Sequence, residues 1–276
     1  LVDTRDGTGG QSTKLVASAP LTIPVANLAV TSALGVDTII PAIIDAVALN
    51  VTVVNPESGG FITVYPCDVP RPLSSNVNYT AGQVVANGVI SPVSANGKVC
   101  VYTLAEADIV VDLAGWLPSS TPSAFTGVTP KRLVDTRDGA GGQFTKLAPP
   151  NQLSVAVHGT NVSASGITLS IPTTATAAAL NVTIVNPEGA GFATVWPCSA
   201  VRPLASNLNF ATGDVVANNV VAPIDSNGEV CFYTNVPSNI IVDIAGYFSG
   251  TGTDAFVGST PKRFLDTRDG TGPRVE

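Results

Sequence analysis

The sequence predicts an all-β protein made of two tandem β-sandwich domains, jelly-roll-like, each with one intra-domain disulfide. Three observations carry that expectation. Apolar side chains alternate with a period of two, a set of landmarks occurs twice and begins a third time, and no stretch of ten or more residues has amphipathic helical spacing. Composition agrees: the 276 residues include 26 glycines and 21 prolines but only 12% charged side chains. That is the make-up of an ordered, turn-rich chain rather than a helical bundle or a solvated tail.

The repeat fixes the organisation. Leu1-Val2-Asp3-Thr4-Arg5-Asp6-Gly7 returns as Leu133-Val134-Asp135-Thr136-Arg137-Asp138-Gly139 and again as Phe264-Leu265-Asp266-Thr267-Arg268-Asp269-Gly270. Between these marks, Ala48-Leu49-Asn50-Val51-Thr52 matches Ala179-Leu180-Asn181-Val182-Thr183, and Arg71-Pro72-Leu73 matches Arg202-Pro203-Leu204. The offset is 132 at Lys14/Lys146 and 131 from Ala48/Ala179 onward, which places a one-residue loss in a loop or edge region. The reading is a first sandwich over 1–117, a Ser/Thr/Pro-rich linker over 118–132 and a second sandwich over 133–248. A second linker over 249–263 and the start of a third repeat over 264–276 follow. Both linkers contain Ala-Phe and end in Thr-Pro-Lys-Arg.

Within a unit the strands follow in order. In Val47 to Val53 the larger aliphatics Val47, Leu49, Val51 and Val53 share one face, and Ala48, Asn50 and Thr52 share the other, as in a half-buried strand. Pro56 to Gly60 reads as a hairpin loop leading into Phe61–Tyr65. Ser75–Tyr79, Val84–Val93, Val99–Leu104 and Ile109–Leu113 have the same β-branched character. Asn96-Gly97, repeated as Asn227-Gly228, is a strong short hairpin signal because both turn residues would take positive φ. A small barrel also fits many short strands, but uneven strand lengths and an irregular first third favour the sandwich.

Charge excludes several partners. With 20 acidic and 13 basic residues the net charge is −7, and the isoelectric point is about 4.6. No surplus of positive charge is left to neutralise phosphates, so no nucleic acid is expected, and anionic membrane surfaces are disfavoured alike. Mean hydropathy is +0.34, yet no uncharged apolar run reaches the ~20 residues that span a bilayer, so no membrane insertion is expected. The chain opens at Leu1 without a signal-peptide pattern, which leaves the cysteines to argue location. Cys67 and Cys100 are 33 apart, as are Cys198 and Cys231, so each unit carries its own pair. Disulfides in those pairs imply an oxidising, extracellular or cell-surface setting. The alternative, a zinc site of four thiolates, lacks any Cys-x-x-Cys spacing.

Catalytic chemistry finds little footing. His158 is the only histidine and its counterpart is Ala26, so no site shared by both units can use it. No serine lies in a Gly-x-Ser-x-Gly context, and no thiol stays free once the pairs form. Glu57 and Glu188 recur in a loop, while Asp112 and Asp243 recur within apolar strands as single acids, without the paired carboxylates of glycoside hydrolysis. The Asp-Thr-Arg-Asp-Gly segment departs from an EF-hand loop and sets an arginine among its would-be calcium ligands. It lacks the Lys-Ser/Thr of a phosphate loop. Asp3 and Arg5, two apart on a strand, are read instead as partners in a charge network, as are Asp135 and Arg137. No metal and no cofactor is expected.

One polar set stands out. Asn50/Asn181, Asn76/Asn207, Asn78/Asn209 and Asn87/Asn218 recur in strands, where asparagine is depleted. They form either an internal hydrogen-bond network or, at Asn76, Asn78, Asn207 and Asn209, a face that binds glycans, with Tyr65/Trp196 and Trp116/Tyr247 as stacking rings. Asn-x-Ser/Thr sequons occur at Asn50, Asn78, Asn161 and Asn181.

Leu-Val-Asp-Thr-Arg, Ala-Leu-Asn-Val-Thr-Val-Val-Asn-Pro, Thr-Val-Tyr-Pro-Cys and Ile-Val-Val-Asp-Leu-Ala-Gly-Trp together resemble the tandem repeats of secreted actinobacterial surface proteins. The resemblance implies an extracellular, modular protein without a defined activity, and it brings no catalytic residues. The expectation is therefore a non-enzymatic structural repeat protein forming a fibre, stalk or surface coat. Its partners are copies of itself, docked head to tail through Asp3, Arg5, Asp135, Arg137, Phe264, Leu265, Asp266 and Arg268. The alternative is an adhesin or carbohydrate-binding module holding cell-wall or other glycans.

Overall fold

A computed structural model describes residues 1–17, 19–31, 37–119, 125–164, 166–203 and 206–249. The first unit contains β1 (Val2–Asp3), β2 (Leu21–Pro24), β3 (Ala29–Thr31), β4 (Asp37–Ile39), β5 (Ile44–Val54), β6 (Gly60–Pro66), β7 (Val77–Tyr79), β8 (Val84–Pro92), β9 (Lys98–Thr103) and β10 (Asp108–Pro118). The second repeats them as β11 (Phe125–Asp135), β12 (Leu153–Ala156), β13 (Asn161–Ala164), β14 (Ile167–Ser170), β15 (Ala175–Val185), β16 (Gly191–Pro197), β17 (Leu208–Phe210), β18 (Val215–Pro223), β19 (Glu229–Thr234) and β20 (Asn239–Ser249).

Each unit is a sandwich of two four-stranded antiparallel sheets with a small hairpin at the side. The sheets are β1-β10-β5-β8 over β2-β9-β6-β7 in the first unit and β11-β20-β15-β18 over β12-β19-β16-β17 in the second. With the hairpins β3-β4 and β13-β14 set aside, the eight strands of each unit run first-eighth-third-sixth and second-seventh-fourth-fifth. That is jelly-roll connectivity, which closes two Greek keys around one core. The alternation read from sequence decides which side is core: Val47, Leu49, Val51 and Val53 of β5 pack on Ile62, Val64, Val99 and Val101 of the facing sheet. Leu180, Val182 and Ile184 pack on Val195, Val230 and Phe232 in the second unit. Disulfides join Cys67 to Cys100 and Cys198 to Cys231, the pairing the repeat predicts.

Two expectations need correction. Pro56–Gly60 and Asn96-Gly97 do not join neighbouring strands of one sheet, because in this connectivity β5 to β6 and β8 to β9 each cross from one sheet to the other. At the second crossing the Gly97 amide bonds the Ser94 carbonyl at 2.8 Å, and Gly97 takes φ of 66° while Asn96 stays out of the left-handed region. A residue with a Cβ would strain that turn. The other correction concerns the linker expected over 118–132. β10 runs to Pro118 and β11 opens at Phe125, pairing Phe125 with Phe248, Thr126 with Tyr247 and Arg132 with Asp243. The Thr-Pro-Lys-Arg segment is therefore an outer strand of the second sandwich, whose first strand begins before Leu133. It pairs because Phe125 and Val128 are apolar residues with a core to fill.

Candidate functional site

The site is the seam where the first unit seats on the second. Its first component is a strap, residues 67–76, that links β6 to β7 across the outer face of β2-β9-β6-β7. Four ties hold it down. The Cys67–Cys100 bond fixes one end, the Arg71 guanidinium stacks 4.1 Å above the Tyr102 ring, Thr63 Oγ1 donates to the Ser74 carbonyl at 2.6 Å, and the Val64 amide donates to Asn76 Oδ1 at 2.7 Å. The strap's backbone at Ser75 is thereby presented outward as a fixed surface.

The second component is the outer face of β11-β20-β15-β18. Asn181 on β15 donates through Nδ2 to the Ser75 carbonyl and accepts from Asn87 Nδ2 at 3.4 Å. Asn87 in turn donates to the Asn76 carbonyl at 2.7 Å and accepts the Asn219 amide at 3.2 Å. One asparagine of the first unit thus ties its own strap to two strands of the second. Asp243 on β20 accepts the backbone N–H of Ser75 and a two-pronged contact from Arg132 Nε and NH2 at 3.0 and 3.3 Å. The third Arg132 nitrogen reaches Asp135 Oδ2 at 3.1 Å. Arg137 holds both Asp135 oxygens at 2.9 and 2.6 Å.

Burial sets the electrostatics. Asp243 is 2% exposed, and its desolvation raises the pKa above the ordinary carboxylate value even though Arg132 pulls it down. Burial also pushes Asp135 up, but the bonds from the Arg137 side chain and backbone outweigh it and the net shift is downward. At the surface Asp3, gripped by Arg5 through two side-chain bonds, is lowered to about 2, chiefly by those bonds.

Beside the polar ties lies an apolar seam. Ala46, Ile90 and Leu117 of the first unit pack with Phe125, Ala177, Ala179, Val221 and Phe248 of the second, and the Phe125 and Phe248 rings sit 4.8 Å apart. Alanines and a glycine let the backbones approach: a Cβ on Gly127 would lie 2.8 Å from Pro92.

The predicted residues fall unevenly on this seam. Asp135 and Arg137 belong to it through Arg132, whereas Asp3 and Arg5 close the turn after β1 on their own unit, where Asp3 pairs with Val110. Both Asp3 oxygens are taken by Arg5, and Asp6 Oδ1 accepts the Thr8 amide at 2.9 Å. Phe264, Leu265, Asp266 and Arg268 lie outside the described residues. Asn76 and Asn207 spend their Oδ1 atoms on the amides of Val64 and Val195 inside each unit. Asn78 and Asn209 each accept from the neighbouring serine, Ser75 or Ser206. Tyr65, Trp196 and Tyr247 are buried and offer no stacking ring, and Trp116 is half-buried against the first core. His158 bonds the Ala175 carbonyl at 2.9 Å. Asn181 is too buried for its sequon to be used. The sequence reading missed Arg132, placed in a linker, and the strap serines. The repeated Thr-Pro-Lys-Arg was the available signal.

No family model and no curated protein matches the chain. Among solved structures, the N-terminal CBM22-1-CBM22-2 tandem domain from Paenibacillus barcinonensis Xyn10C is similar over 86% of this chain and 85% of that one, at 12% identity and a TM-score of 0.24. The architecture and the seam define a tandem jelly-roll repeat protein stapled by one disulfide per unit.

Proposed function

We propose that this is a non-enzymatic, extracellular structural repeat protein whose units stack head to tail into a fibre, stalk or surface coat, each junction repeating the seam between the first and second units. One observation carries the reading. The face that receives the first unit is duplicated, almost residue for residue, on the free sheet β1-β10-β5-β8: Asn50 for Asn181, Thr52 for Thr183, Asp112 for Asp243 and Val84 for Val215. On the first unit Asn50, Asp112 and Val84 are exposed. The docking edge is duplicated too, with Arg202, Ser206, Asn209 and Asn218 standing where Arg71, Ser75, Asn78 and Asn87 stand in the first unit. Phe256, Gly258 and Arg263 repeat the seam residues Phe125, Gly127 and Arg132 in sequence. A face at one end and its complement at the other make a heterologous contact, which extends into an open filament when the rotation does not close. The disulfides support an oxidising location, as does the resemblance to actinobacterial surface repeats.

The test is sedimentation velocity and negative-stain electron microscopy of the full chain across a concentration series. Linear oligomers that lengthen with concentration are expected, and Asn50→Arg combined with Asp112→Arg should abolish them while the chain stays folded. A wild type that remains monomeric at millimolar concentration, or a double variant that assembles equally well, sinks the proposal.

A further inference from the structure

We propose that the seam inside the chain also forms a binding site for one small oxyanion, a carboxylate, sulfate or phosphate group. This goes beyond stacking and does not depend on it, because the site is complete within a single chain. A cavity of about 250 Å³ opens between the units, with Arg71, Ser74, Asn78, Arg132 and Arg137 on its polar side and apolar side chains such as Ile241 over the rest of its wall.

Three features of the wall specify the ligand. The first is charge: Arg132 and Arg137 are balanced by Asp135 and Asp243, but among the described residues no carboxylate pairs with Arg71. Its face lies on Tyr102, which leaves the guanidinium edge and one net positive charge for the cavity. The second is a pair of buried polar atoms, Ser74 Oγ and Asn78 Nδ2, that have no hydrogen-bond partner. Ser74 is only 4% exposed, and an unmatched buried polar atom is destabilising until a ligand supplies the missing bond. Third, all three groups can donate. A ligand that only accepts, and carries negative charge, satisfies them together; a cation or an apolar group satisfies none, and a neutral hydroxyl leaves the charge of Arg71 unmatched.

The second unit shows what makes the site. Arg202 stacks on Tyr233 at 3.7 Å as Arg71 does on Tyr102, but Asn209 is exposed and Ala205 stands in sequence where the first unit has Ser74. The expected stoichiometry is therefore one oxyanion per chain.

Isothermal titration of the full chain at constant ionic strength, with sulfate, inorganic phosphate and galacturonate as probes and neutral galactose as control, tests this. At least one oxyanion should bind with a stoichiometry of one, and galactose should not. Arg71→Gln should weaken binding about tenfold or more, the value of a charge-assisted bond. Arg71→Gln also loosens the strap, so Ser74→Ala serves as the second variant. It should weaken binding several-fold while leaving the ligand-free melting temperature unchanged or higher, since an unmatched hydroxyl has been removed. Three outcomes would overturn the assignment: no binding by any oxyanion, equal binding in both variants, or equal binding of galactose.

Discussion

Sheets β1-β10-β5-β8 and β11-β20-β15-β18 have the same strand order, the same register and nearly the same outward side chains, yet β5 in the first is partly open to solvent on its outer face and β15 in the second is covered. Asn50 on β5 is exposed, whereas Asn181 on β15 is 4% exposed. Along β15 every residue but Thr176 is buried. Nothing local to the strand produces that difference. It comes from the strap and the β7-β8 edge of the neighbouring unit, and it shows that asparagine at this strand position serves a docking face rather than a core. Equivalent substitutions in the two units should therefore have unequal effects.

The largest inequality is expected at the charge cluster. Arg132→Ala strands the buried Asp243 and takes one of two arginines from the buried Asp135, which keeps Arg137, and breaking a buried pair from one side costs about 3–5 kcal/mol. Arg5→Ala, which frees Asp3 at the surface, should cost far less, because solvent screens an exposed pair. Urea unfolding of the two variants measures both, and comparable losses would mean that the seam is not the buried element it is described as here. Next are the disulfides. Each closes a loop worth about 3.7 kcal/mol in the chain-entropy model, but only Cys67–Cys100 also anchors the strap that seats on the second unit. Replacing that pair with serine should split unfolding into two transitions by calorimetry, while replacing Cys198 and Cys231 should lower stability without uncoupling the first unit from the second.

A smaller effect isolates the seam's polar ties. Asn181→Ala removes the donor to Ser75 and the acceptor for Asn87, and should cost about 1–3 kcal/mol. Asn50→Ala should stay within about 0.5 kcal/mol, as exposed substitutions do. A double-mutant cycle pairing Asn87→Ala with Asn181→Ala should give a coupling energy of about 0.5 kcal/mol or more, and pairing Asn218→Ala with Asn50→Ala should give none at dilutions where the chain is monomeric.

These contrasts also mark how far the sequence could be read. The β class, the two units and the cysteine pairing were legible because alternation and repetition are local or pairwise signals, visible in Val47 to Val53 and in the two 33-residue spacings. The crossings at Pro56–Gly60 and Asn96-Gly97 were not, since a tight turn has the same composition whether it returns to its own sheet or passes to the other. Arg132 was hidden for a related reason. Proline, threonine and glycine around it read as linker, and only the pairing of Phe125 with Phe248 turns that stretch into a strand. The recurring asparagines were noticed, but a repeat compared with itself cannot separate an amide that satisfies its own unit, such as Asn76, from one that satisfies the next, such as Asn181.

The finest comparison is between two acids whose pKa values move in opposite directions. Asp3 is lowered to about 2 by Arg5, so its contribution to stability is present above the ordinary carboxylate value near ~4 and is lost as pH falls toward 2. Asp243 is raised by burial, so the folded chain holds its proton more tightly than the unfolded chain does. Its contribution is fully present below ~4 and is lost as pH rises through the folded-state value. In urea titrations between pH 2 and 7, the stability difference between wild type and Asp3→Asn should therefore shrink as the solution is acidified below pH ~4. The difference between wild type and Asp243→Asn should shift in favour of wild type as pH is lowered toward ~4 from above. If both differences followed pH in the same direction, Asp243 would not be the desolvated acid under the strap, and the Ser75 and Arg132 contacts would have to form on a wetter seam than the one described.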